Sequence, residues 1–84
     1  MPNRNDCEAA IRTINRDMQY SDQAQFSSGH CNIRYSTDGK GAQPVRGTTI
    51  ADTANTILSQ CRDLQGNYGT GNCDSCHVTI SYRG

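Results

Sequence analysis

Cys73-Asp74-Ser75-Cys76-His77 sets two thiols and an imidazole within five residues. That spacing could attach a c-type haem, with both thiols bonded to the vinyl groups and His77 as an axial ligand. Met18 or His30 would supply the second ligand. It could also hold zinc, with Cys61 or Cys31 completing a Cys₃His set, or act as a thioredoxin-like redox pair. Context weighs against each. The residues after His77 alternate as a strand, whereas haem attachment and a redox pair both want a helix. Adjacent Cys76 and His77 point to opposite faces of a strand. Haem would also leave three further cysteines unexplained. We therefore expect no metal, no cofactor, and cysteines that serve as disulfides.

A second constellation is His30, Arg34, His77 and Arg83, which lie on alternate positions from the apolar residues of two strand-like segments. Two histidines facing one phosphate could cleave RNA, one ring as base and the other as acid. A small secreted ribonuclease using His30 and His77 is thus the alternative function. The expectation is that these side chains are simply solvated, so no catalytic residue is assigned. Eight acidic residues balance eight basic ones, and no aromatic alternates with arginine to stack bases, so no nucleic-acid partner is expected. Gly66 to Gly71 lacks the Lys-Ser/Thr ending of a phosphate-binding loop.

Only eleven of 84 residues are Phe, Ile, Leu or Val, about 13%, below the roughly 20% at which a chain struggles to fold unaided. Five cysteines beside so lean a core describe a small disulfide-stapled domain of an oxidising compartment. The chain reads as one domain spanning 1–84, without an 18-residue apolar run. Its polar start, Met1-Pro2-Asn3-Arg4-Asn5, reads as a mature secreted form with an added Met1.

The elements that must position these residues follow a repeated plan. Asn5, with Glu8 three residues on, caps a helix whose stripe is Cys7, Ala10, Ile11, Ile14 and Met18. After a polar, turn-rich stretch, Cys31, Ile33 and Tyr35 alternate as a strand. Asp38-Gly39-Lys40-Gly41 is a turn. Residues 42–46 would form at most an edge strand because of Pro44. Thr49 and Asp52 cap a second helix carrying Ile50, Ala54, Ile57, Leu58, Cys61 and Leu64. Residues 66–72 read as a loop, and Cys76, Val78, Ile80 and Tyr82 as the last strand. The predicted fold is α+β: two helices on one face of a small, mostly antiparallel sheet. If residues 42–46 pair, it becomes a split βαβ, ferredoxin-like sandwich lacking its first strand. In that order the first helix starts, the second ends and the last strand begins at one end of the sheet. Cys7, Cys61, Cys73 and Cys76 would gather there in two bridges, leaving Cys31 as a free thiol.

Two stretches carry a family resemblance. Asp6-Cys7 opening a helix, followed by Gly29-His30-Cys31-Asn32-Ile33, resembles small secreted fungal effectors of the necrosis-inducing type. Ile50 through Cys61-Arg62, a Gly/Asn loop and Val78-Thr79-Ile80-Ser81-Tyr82 resemble the killer toxins encoded by smut-fungus viruses. The resemblance implies an extracellular, disulfide-held sandwich that is not an enzyme. Such a protein would act on a protein or cell-surface component of a host or competitor. Loops 20–29, 38–47 and 66–72 are then the expected recognition surfaces.

Overall fold

Helix α1 (Arg4–Arg12) is capped by Asn3, whose side-chain oxygen accepts the Asn5 N–H at 2.9 Å. The expected cap was Asn5; the earlier asparagine takes the role. The computed structural model describes residues 3–61 and 63–82. Helix α1 is shorter than its apolar stripe suggests. The Thr13 hydroxyl takes the Ala10 carbonyl at 2.7 Å, a local bond that competes with helix continuation. Ile14 still packs in the core, but Met18 stands half exposed beyond the helix.

The chain then forms β1 (Gln19–Tyr20), β2 (Ala24–Ser28), β3 (Cys31–Ser36), β4 (Val45–Arg46), α2 (Gly47–Gln60), β5 (Gly66–Gly69) and β6 (His77–Tyr82). The main sheet is antiparallel throughout, in the order β2-β3-β6-β5, while β1 pairs with β4 alone. Residues 42–46 therefore contribute only to the two-stranded ribbon. Because β3 and β5 both run antiparallel to β6, they are parallel to each other, joined through α2, with β6 between them. That is the split βαβ. The slot of the absent first strand is filled from the C-terminus by β6.

Alternation sorts the sheet into two faces. Phe26, Ile33, Tyr35, Val78 and Ile80 point inward and are buried with Cys7, Ala10 and Ile11 of α1 and Ile50, Ala51, Ala54, Ile57 and Leu58 of α2. Helix α1 lies over β2 and β3; α2 lies over β5 and β6. The two-residue turn Gly29-His30 joins Ser28 to Cys31, with Gly29 at φ +56°. This conformation suits glycine at the first turn position of a hairpin.

Helix α2 starts two residues before the expected Thr49 cap and has no side-chain cap. Its first amides, of Gly47 and Thr48, bond instead to the carbonyls of Met18 and Arg16 at 2.8 and 3.2 Å. The approach is so close that a Cβ on Gly47 would lie 2.0 Å from the Asn15 carbonyl oxygen.

Candidate functional site

The cysteines divide between the two ends of the sheet. At one end Cys7 of α1 is bonded to Cys31 of β3. Next to that bridge, the Asp6 carboxylate accepts the His30 amide at 3.1 Å, so the hairpin turn is held by adjacent residues of one helical turn. At the other end Cys73 is bonded to Cys76, just before β6. Cys61 is the free cysteine, half-buried, packed against Gly66 at the start of β5.

The expected pairing is corrected on two points: Cys31 is bridged, and Cys61 is not. The cause is the place of β6. The Arg4 guanidinium donates to the Leu58 carbonyl at 2.9 Å, so the first helix does start where the second ends. But β6 runs antiparallel beside β3, with Cys31 opposite Tyr82 and Ser36 opposite His77. Cys31 therefore sits at the Cys7 end, and the start of β6 lies at the far one. With three cysteines at one end and two at the other, one of the three is left over.

The same register separates the histidines. His77 stands five positions along β3 from Cys31, so His30 and His77 are roughly 17 Å or more apart along the strand direction. One phosphate cannot bridge them. The His77 Nδ1–H donates to the Ser75 carbonyl at 2.8 Å. Arg34 is exposed on the outer face; Arg83 and Arg62 lie outside the described residues. That outer face is polar, with Gln25, Arg34, Thr79 and Asn67 in one row and Ser27, Asn32 and Ser81 in the next. Asn32 is 8% exposed and its Oδ1 accepts no hydrogen bond among the described residues. Cys73 and Cys76 are consumed by each other. Among the described residues, no three of His, Cys, Asp and Glu gather as a metal-binding set. No described helix is long and apolar enough to cross a membrane.

Two of the expected recognition loops are tied down at the Cys73–Cys76 end. The buried Tyr35 hydroxyl donates to the Gln43 carbonyl at 2.6 Å and accepts from Asn72 Nδ2 at 2.9 Å. Thr37, fully buried, donates to the Gly41 carbonyl at 2.9 Å, and the Ser75 hydroxyl donates to the Thr37 carbonyl at 2.7 Å. Loops 38–44 and 70–76 are sewn to the sheet end by this network. Of the third expected loop, residues 24–28 are strand β2.

A concavity lies between α2 and the edge strand β5. It is an open groove of about 230 Å³, lined by Thr49, Asp52, Thr53, Thr56, Tyr68 and Gly69. The four helical residues stand at i, i+3, i+4 and i+7, one stripe beside the buried one. Tyr68 is 41% exposed. Asp52 takes the Arg16 guanidinium at 3.2 Å on the open surface, a pair that adds little stability. Sequence reasoning placed Tyr68 in a loop, because Gly66 and Gly69 bracket it. The signal that points to the groove is the polar stripe of α2, four hydroxyl or carboxylate residues at helical spacing. Comparison with known proteins finds no matching family model, no matching curated protein and no matching solved structure.

Proposed function

We propose that this protein is a secreted binding protein of the effector or killer-toxin kind, which acts by contacting a target in a host or competing organism and not by catalysis. The observation that carries the reading is a stapled frame with an open flank. Two bridges and a hydrogen-bonded loop network secure both ends of the sheet, as extracellular domains with lean cores require. Between them lies the groove of α2 and β5, with the exposed Tyr68 on its rim. Aromatic side chains placed this way commonly anchor protein contacts.

The test is to express the chain through an oxidising compartment and apply it to plant leaf tissue and to growing fungal cells. The expected mass is about 4 Da below that of the fully reduced chain, for two bridges. The expected biological effect survives in the double variant His30→Ala/His77→Ala and is lost in Tyr68→Ala. RNA cleavage that vanishes with the histidines, together with the biological effect, would replace this reading with the ribonuclease.

A further inference from the structure

The α2–β5 groove has a backbone half and a side-chain half, and both point to the same occupant. The Thr70 N–H bonds to the Cys76 carbonyl at 3.0 Å. Because amide and carbonyl directions alternate along an antiparallel strand, Asn67 and Gly69 turn theirs away from β6. Strand β5 is the last in the sheet order, so these groups face the open edge. An edge of this kind is usually blunted by charge, proline or a bulge. Gly66-Asn67-Tyr68-Gly69 carries neither charge nor proline.

The helical wall is rich in acceptors. The Thr53 hydroxyl gives its hydrogen to the Thr49 carbonyl at 2.7 Å, and the Thr56 hydroxyl gives its own to the Asp52 carbonyl at 3.0 Å. Each therefore offers only lone pairs to the groove. The Asp52 carboxylate adds negative charge, with one oxygen engaged by Arg16. The exposed Tyr68 ring adds a face that attracts cations. At about 230 Å³ the space falls below the usual small-molecule range of roughly 300–1,000 Å³, and suits one long side chain.

We infer that the groove takes an extended peptide segment of a partner protein, which adds as a fifth strand on β5 and lowers a lysine or arginine side chain between Asp52 and Tyr68. Main-chain bonds to Asn67 and Gly69 give affinity, and the cation gives specificity, the division of labour expected of strand addition. This names the partner chemistry of the binding function proposed above and rests on that reading.

The test uses the oxidised full chain, labelled with ¹⁵N, and a capped octapeptide alternating valine with lysine. Its counterpart with glutamate for lysine and a neutral cellohexaose serve as comparisons. The lysine peptide is expected to shift the amides of Thr53, Asn67 and Gly69 and to slow hydrogen exchange at Asn67 and Gly69. Gly69→Pro, which removes an outward N–H, should weaken binding about tenfold. Asp52→Asn should weaken it several-fold and flatten its salt dependence. If Gly69→Pro does not fold, Thr53→Val and Asp52→Asn carry the test.

Equal binding of the two peptides, binding indifferent to Gly69→Pro in a folded variant, or shifts at Tyr68 from cellohexaose alone would overturn the inference. So would the same shifts on simply concentrating the chain, which would mean a second copy occupies the edge. If no peptide binds while the protein still acts on cells independently of its histidines, the groove assignment falls and the binding function stands.

Discussion

The two ends of the sheet are held by different means. At the Cys7–Cys31 end a covalent bond joins a helix to a strand 24 residues away in sequence. At the Cys73–Cys76 end the bridge spans three positions, and the ties between distant segments are hydrogen bonds, Tyr35 to Gln43, Asn72 to Tyr35 and Ser75 to Thr37. One bridge assembles the fold; the other shapes a loop so that a polar network can assemble it. The difference matters for the groove. Its floor, β5, is registered through Thr70 onto Cys76, and so depends on the second end.

The strongest way to break this comparison is to remove each bridge in turn. Cross-link entropy grows with the loop closed, so Cys7→Ala/Cys31→Ala should cost about 3–4 kcal/mol in urea unfolding, and Cys73→Ala/Cys76→Ala about 2 kcal/mol. Equal losses, or the reverse order, would mean that the short bridge also carries long-range assembly. The second pair of substitutions should disturb the amides of Thr70 and Gly69 while leaving those of the Gly29-His30 turn in place.

That asymmetry was only half legible in the chain. The helices are visible because their apolar residues recur at helical spacing, and β3 and β6 because Cys31, Ile33 and Tyr35, and Val78 and Ile80, alternate. Strand β2 is hidden by Gln25, Ser27 and Ser28, whose polar side chains face outward or lie at its end. Strand β5 is hidden because glycines occupy both its ends and pairing with β6 supplies what propensity does not. The disulfides failed for a topological reason. Nothing local says that the C-terminal strand inserts beside β3, yet that placement alone decides which cysteines share an end. The groove was missed for the same cause, since it needs β5 to exist.

A smaller effect probes the hydrogen-bonded end directly. Tyr35→Phe keeps the buried ring and removes the hydroxyl that serves Gln43 and Asn72. The expected loss is about 1 kcal/mol, with a similar loss for Asn72→Ala. The double variant should lose less than the sum, since both changes break one network. Strict additivity in that cycle would show the two contacts to be independent and the end to be less knitted than its geometry says. By contrast Tyr68→Phe, at the exposed rim, should leave stability within about 0.5 kcal/mol of the parent.

The smallest effect belongs to the covalent end and is read through pH. The Tyr82 hydroxyl sits 3.0 Å from the Cys7 sulfur; a bridged sulfur has no hydrogen, so the phenol donates. Burial pushes its pKa above the ordinary tyrosine value, the Arg4 guanidinium pulls it down, and the Asp6 and Asp63 carboxylates push it up. The fold thus favours the protonated phenol. Its contribution is complete below the unfolded value, about 10, and is lost as pH rises through the higher folded value. Urea midpoints between pH 8 and 11 should therefore fall, and Tyr82→Phe should lessen that fall. Both chains should carry Cys61→Ser, because a free thiol at high pH would attack the bridges and mix exchange with titration. A fall of the same size in both would place the alkaline loss elsewhere and leave the Cys7–Cys31 end held by its bridge, by Asp6 on the hairpin turn and by Arg4 on the Leu58 carbonyl.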